Sequence, residues 1–257
     1  MSSQADFAEK FRSLHVKYNP VILFNIWDPG SAKAVEAAGA KAIATGSAPV
    51  AMAHGYADGE NIPLEYVLDN LRRIVEAVDL PVTLDLEGGY GAAPEIVAEN
   101  IAKAVDAGAI GFNFEDQIIG GEGLYGIDIQ TSRVSAAREA CDKKGISCFL
   151  NARTDLFLKA KPEVHSEAML DDALRRATAY KKSGADGFFA PGIADEKLIA
   201  RLCAEAPLPV NIIALPHVPG VKKLASLGAA RISYGPVPYR RMVQWLQDEA
   251  NRAFSQL

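Results

Sequence analysis

The sequence predicts an α/β fold, a single (β/α)8 TIM-type barrel over residues 1–257. Three observations carry that expectation. One unit recurs, an amphipathic helix followed by Gly, Ala and a short apolar strand: EAAGAKAIATG at 36–46, DAGAIGFNFED at 106–116, KSGADGFFAPG at 182–192 and SLGAARISYGP at 226–236. The glycines suit positions just past a helix end, where positive φ is cheap without a Cβ. The apolar runs after them are too short for helices and apolar on both faces, as parallel strands covered by helices are. Finally, 257 residues is the usual barrel length, and no Pro- or Ser-rich linker divides the chain. An open doubly wound sheet is the alternative, but WDPGSA after the first strand lacks the G-x-G-x-x-G fingerprint.

Taken in order, the chain opens with an extra helix around Gln4 to Ser13. Eight strands are then expected: Val21–Trp27, Ala42–Thr45, Val82–Leu86, Gly111–Phe114, Ser147–Asn151, Gly187–Ala190, Val210–Ala214 and Arg231–Tyr234. A helical stretch follows each. After strand three, Pro94 suits a first turn, and Val97, Ile101, Ala104 and Val105 form one apolar stripe before Gly108. The last helix, from about Pro238 to Phe254, carries Tyr239, Met242 and Trp245 as its apolar stripe.

Composition excludes several function classes. Net charge is -5 and no basic stripe is visible, so no nucleic-acid partner is expected. Lys143–Lys144 and Arg240–Arg241 read as solvated helix ends. No apolar run is long enough to span a bilayer, so no membrane partner is expected. The opening MSSQADFAEK has neither the basic nor the apolar region of a signal peptide. Cys141, Cys148 and Cys203 are odd in number and widely spaced, which argues against a disulfide framework and against a thiolate zinc site. The cytoplasm is the expected compartment.

Barrel chemistry belongs at the carboxyl ends of the strands. Those ends carry Asp28; Gly46 and Ser47; Asp85 and Glu87; Glu115 and Asp116; and Asn151, Arg153 and Asp155. An unpaired carboxylate such as Asp85 is expensive at the end of an apolar strand. Alternation puts Glu87 on the same side, and Glu115 ends the next strand in the same register. Such a cluster of oxygen ligands, with no His nearby, suits a hard cation, Mg2+ or Mn2+. The alternative has Asp85 capping a helix or pairing with Arg153. Arg153 suits a bidentate clamp on a substrate carboxylate or, alternatively, an ion pair with Asp85, Asp155 or Glu115. Gly46–Ser47 offers an anion-binding backbone turn. Asp58 lies in the Gly-containing segment HGYADGEN as a mobile-loop acid or a turn residue, and His217 in LPHVPG is a candidate acid/base at the active face. No Lys ends an inner strand, which disfavours Schiff-base chemistry.

In order along the chain, DPGSAKAVEAAGAKAIATGS, TLDLEGGYG, FNFEDQ and NARTD resemble the isocitrate lyase/phosphoenolpyruvate mutase superfamily, from about Phe24 to Tyr234. The resemblance implies that Asp85 is a direct Mg2+ ligand and that Glu87 and Glu115 act through water. It implies that Arg153 and the Gly46–Ser47–Ala48 backbone hold the substrate carboxylate and that Asp58 sits on a mobile acidic loop, with Arg153 and Asp58 as the candidate catalytic residues; by their strand-end positions Asp28 and His217 are further candidate substrate-binding residues. It also implies a homo-oligomer, dimer or tetramer, pairing by exchange of the last helix. The departures narrow the chemistry. QIIGGEGLYGID lacks the Cys and His of the isocitrate-type lyases, Pro191 stands where phosphonate-cleaving members place a His, and GGEGLYG lacks their Asn. What remains implies Mg2+-dependent carbon–carbon cleavage or decarboxylation of a small 2-oxo or 2-hydroxy acid through a stabilised enolate. The proton would come from water, Tyr125, Glu122 or His217. The alternatives are a phosphonopyruvate hydrolase- or mutase-like enzyme, a methylisocitrate lyase-like enzyme, and a catalytically silent 2-oxo-acid-binding barrel.

Overall fold

The computed structural model describes residues 3–256. Helix α1 (Gln4–Ser13) starts on a capping box, in which the Ser3 hydroxyl accepts the Asp6 N–H and the Asp6 carboxylate accepts the Ser3 N–H. Eight strands follow: β1 (Val21–Leu23), β2 (Ile43–Ala44), β3 (Val82–Asp85), β4 (Gly111–Glu115), β5 (Phe149–Arg153), β6 (Gly187–Phe189), β7 (Val210–Ile213) and β8 (Arg231–Ser233). All neighbours pair in parallel, in the order β1-β8-β7-β6-β5-β4-β3-β2. The ring closes between β1 and β2 through a parallel bridge from Ile26 to Thr45. At that seam Ile26 N–H donates to the Ala44 carbonyl at 2.9 Å and Gly46 N–H to the Ile26 carbonyl at 3.1 Å. The Asn25 side chain pins it, donating to the Thr45 carbonyl and accepting the Tyr234 and Gly235 N–H groups. The barrel expected from the sequence is the fold.

The helices lie outside the ring: α2 (Pro29–Ala37), α3 (Ser47–Ala53), α4 (Leu64–Ala77), α5 (Pro94–Asp106), α6 (Ile127–Lys143), α7 (Glu167–Lys182), α8 (Glu196–Glu205), α9 (Val221–Ser226) and α10 (Val237–Phe254). Most strand ends fall within one residue of expectation, and three features differ more. The first strand stops at Leu23 rather than Trp27, because the chain bends there to reach the seam. The fifth runs two residues later, to Arg153, which places that side chain on the strand itself. Helix α3 opens immediately after Gly46, where a turn was expected.

The main core fills the space between strands and helices, from Ile43, Leu84 and Phe112 around to Ile212 and Ile232. Inside the ring the composition changes along the axis. The amino-terminal end is apolar, with Phe11 of α1 inserted among Val21, Leu23, Ala42, Ala44, Ile110 and Phe149. Gly111 makes room for it, since a Cβ there would meet the Phe149 carbonyl at 2.8 Å and Phe11 at 3.3 Å. Above this plug lies a buried polar layer of Asn113, Asn151, Asn211, Arg231 and Ser233.

Candidate active site

A cavity of about 280 Å³ opens above that layer, at the carboxyl ends of the strands. Its polar lining includes Asn25, Ser47, Asp58, Asp85, Asn113 and Arg153; Phe189, Ile213 and Leu215 contribute apolar wall. The chemistry is therefore where a parallel barrel puts it.

The segment after β3 is held in an unusual backbone path. Glu87, Gly89 and Tyr90 all have positive φ, at 53°, 88° and 56°. Gly89 is required twice over, because a Cβ there would also lie 2.8 Å from the Phe114 ring. Arg133 of α6, sandwiched between Phe114 and Tyr125, donates to the carbonyls of Gly88, Gly91 and Ala92. Asn100 of α5 donates to those of Gly89 and Tyr90. These residues fix the turn that carries Glu87.

Asp85 reaches the cavity half-buried. Its Oδ2 accepts the Ser47 N–H at 3.2 Å, its own N–H donates to Thr45 Oγ1 at 3.0 Å, and its enclosed Oδ1 has no partner. Burial, more than the opposing pull of Arg153, raises its pKa. Glu87 Oε2 accepts the Gly59 and Glu60 N–H groups at 2.8 and 2.9 Å, tying β3 to the loop that carries Asp58. Burial, then the charges of Asp58 and Asp85, push the Glu87 pKa up to about 8.

Arg153 is gripped from two sides. Asp155 takes its Nε and Nη2 at 2.6 and 2.9 Å, and Glu115 takes its Nη1 at 2.8 Å. Burial lowers the Arg153 pKa, but Glu115, Asp155 and Asp85 outweigh it and raise it overall. Burial also drives the Glu115 pKa well up, against the pull of Arg153. One N–H on each terminal nitrogen stays available, and Arg153 lines the cavity. The ion pair and the clamp foreseen as alternatives thus coexist in one side chain. Asp116 points away from the cavity and is structural, accepting Arg176 at 3.0 Å, Tyr180 at 2.8 Å and the Asp155 N–H at 3.0 Å.

Gly46, Ser47, Ala48, Asp58, Asp85 and Arg153 all line the cavity, whereas Asp28 and His217 do not. Asp28 is spent as the amino-terminal cap of α2, accepting the Ser31 N–H at 2.7 Å. His217 is exposed in the loop after β7, and Leu215 takes the place on the wall. The expected backbone nest is also smaller than foreseen. Gly46 N–H is used at the seam and Ser47 N–H on Asp85, leaving that of Ala48 for a ligand. Tyr125 stacks on Arg133 and Glu122 is exposed, and neither lines the cavity. Four lining residues with polar or charged side chains carry no functional signal in the sequence. Asn113 and Ser233 are strand residues and Asn25 follows β1, all three with neutral side chains, and Arg240 reads in the sequence as a solvated helix end but lies in the first turn of α10, at the rim. The pattern FNF in β4 does hold a positional signal, since Asn113 alternates with two buried phenylalanines.

Among the described residues no group of three or more His, Cys, Asp or Glu side chains is arranged to chelate an ion. Glu87 Oε2 is taken by two amides and Glu115 by Arg153, so neither shows the enclosed, unpartnered oxygen that Asp85 has. The orphaned Oδ1 of Asp85 nonetheless fits one bond to a hard cation, with water and substrate completing the shell.

Comparison with known proteins agrees with this geometry. A solved structure from Burkholderia cenocepacia J2315, described as a "putative phosphonomutase", is similar at 47% identity and a TM-score of 0.96, covering 98% of this chain and 100% of that one. An uncharacterized protein of Mycobacterium tuberculosis is 32% identical over 89% of this chain and 83% of its own length. An oxaloacetate decarboxylase of Bradyrhizobium is 29% identical over 73% of this chain and 62% of its own length. Residues 11–254 match the family described as phosphoenolpyruvate phosphomutase, and the chain belongs to it, within the isocitrate lyase/phosphoenolpyruvate mutase superfamily of lyases and mutases.

Proposed function

We propose that the chain is a Mg2+-dependent carbon–carbon lyase that decarboxylates or cleaves a small 2-oxo dicarboxylic acid. The observation that carries this reading is that Asp85, with its orphaned Oδ1, and Arg153, with its available N–H groups, line one cavity, which among the described residues no Cys, His or Lys lines. Mg2+ held by Asp85 would polarise the 2-oxo group and stabilise the enolate left by cleavage. Arg153 and the Ala48 N–H orient the adjacent carboxylate. At the rim Arg240 meets the distal carboxylate. The bond from C3 to that carboxylate breaks, CO2 leaves, and its electron pair passes to the enolate. Water or Asp58 then supplies the proton at C3. The apolar wall of Phe189, Ile213 and Leu215 limits bulk water around the enolate. The similarity to an oxaloacetate decarboxylase supports this class of substrate.

The test is a panel with purified protein and Mg2+, scored for pyruvate or glyoxylate release from oxaloacetate, methylisocitrate and citramalate-type acids, and for phosphate release from phosphonopyruvate. Pyruvate from oxaloacetate, with solvent deuterium at its C3, is the expected result. Phosphate from phosphonopyruvate with every carbon substrate untouched would support the second reading, a phosphonate-cleaving enzyme. The 47% identical structure favours that reading by its description, whereas the lack of a His in the cavity lining among the described residues weighs against it.

Assembly belongs to the same proposal. Along α10 only Pro238 is buried, while Val243, Trp245, Leu246 and Phe254 are exposed. Ile22 of β1 and Phe24 just after it, where β1 pairs with β8, are also exposed. An uncovered helix and an uncovered strand in one molecule suit exchange of α10 between two copies. Among the described residues no helix is long and apolar enough to cross a membrane.

A further inference from the structure

Beneath the cavity floor, Arg231 is 1% exposed and, among the described residues, forms no salt bridge. Its Nη2 donates to Asn113 Oδ1 at 3.0 Å and its Nε to Ser233 Oγ at 3.4 Å, while its Nη1 has no partner. Asn151 Nδ2 donates to the same Asn113 oxygen at 2.9 Å. A guanidinium can only donate, so the Asn113 atom facing it must be the carbonyl oxygen. The amide is thereby fixed in one of its two orientations. Its Nδ2 forms no hydrogen bond with the protein, yet it is not among the enclosed orphan atoms, and Asn113 lines the cavity. The floor therefore presents an N–H donor to whatever binds above it. Asn113 is also the direct register partner of Asp85 on the neighbouring strand.

We infer that Asn113 is a substrate-binding residue, its Nδ2–H donating from below to an oxygen of a small planar oxo acid, and that Arg231 is the positioning residue that holds the amide in that orientation. This rests on the reading that the cavity takes such an acid. The charge on Arg231 makes the arrangement stricter than a neutral network would. Flipping Asn113 would set an NH2 group against a buried guanidinium.

Two near-isosteric replacements separate this role from a structural one. Asn113→Asp gives Arg231 the carboxylate it lacks but removes the donor, whereas Asn113→Leu removes donor and acceptor without adding charge. Binding of oxalate in Mg2+ buffer is read by calorimetry and thermal stability by scanning calorimetry. Oxalate affinity should fall at least tenfold in both variants, while Tm holds or rises in Asn113→Asp and falls in Asn113→Leu. A purely structural role would move affinity and stability together. Arg231→Met should weaken oxalate as well, and the Asn113→Leu/Arg231→Met double variant should lose no more than Asn113→Leu alone. Oxalate affinity within twofold of native in Asn113→Leu overturns the inference and leaves the reaction reading standing; if that variant does not fold, the same outcome in Asn113→Asp decides. Native protein that binds Mg2+ but no oxalate overturns both.

Discussion

Asp85 and Arg153 divide the labour of the site between an unfilled oxygen and a nearly filled guanidinium, and each division predicts a distinct failure. Asp85→Ala removes the carboxylate that carries the orphaned Oδ1. Calorimetric titration of metal-free protein should show Mg2+ binding in the native chain and none in the variant; matching isotherms would remove Asp85 from the metal site. Arg153→Lys keeps the charge but not the fork that Asp155 grips at 2.6 and 2.9 Å while Glu115 is held at 2.8 Å. Hydrogen bonds to charged groups contribute about 1.5–3 kcal/mol each, so kcat/KM should fall by roughly 10- to 150-fold. Unchanged steady-state constants would place Arg153 outside the reaction. These two residues were legible in the sequence because a charge at the end of an apolar strand is conspicuous. Asn113 and Ser233 were not, since a neutral polar residue in a strand carries no comparable signal until the inner face of the ring is known. Asp28 failed for a related reason. A strand-end aspartate and a helix cap share one position in the sequence, and the Ser31 N–H claims this one.

Periodicity made the strands and helices readable, and it failed where geometry depends on distant partners. The first strand loses its last residues to the seam with β2, and the apolar content of Phe24 to Trp27 gives no hint of a bend. The apolar stripe of α10 is equally readable, but which molecule it covers is not, because a stripe buried on its own barrel and one buried on a neighbour have the same period. The exposure of Trp245 at 60% and Leu246 at 55% makes the difference testable. Trp245→Asp/Leu246→Asp should leave the far-ultraviolet spectrum of the barrel intact and shift the sedimenting species towards the 27.5 kDa single chain. A native protein that already sediments at that mass would count against exchange.

Across the whole molecule, the two ends of the barrel interior have opposite characters: an apolar plug below, a charged cavity above. The plug also holds a pH dependence. His15 stacks on Phe149 at 3.8 Å, and burial pushes its pKa down to about 3. In the unfolded chain the imidazole takes up a proton below its ordinary value near 6.5, while the folded chain excludes it. The unfolded state therefore binds more protons between about pH 6.5 and 3, and stability falls as pH drops through that window. The slope from this one group is at most ~1.4 kcal/mol per pH unit, reduced because the ring is only partly buried. His15→Phe keeps an aromatic ring against Phe149 and should flatten the acid limb of urea-denaturation midpoints plotted against pH. An unchanged acid limb would assign that loss of stability to the carboxylates.

The β1/β2 seam is joined by two backbone hydrogen bonds, against a five-residue ladder between β4 and β5. Both bonds involve the segment that leads into Ala48, whose N–H the substrate carboxylate is proposed to use. A seam this thin opens ahead of the longer ladders, so amide deuteration should reach Ile26 and Gly46 well before Phe112 or Leu150. An anion seated across the joint would act as a clasp. Oxalate with Mg2+ should slow exchange at Ile26 and Gly46 more than anywhere else in the strands, and the barrel would be most securely closed while its ligand is bound.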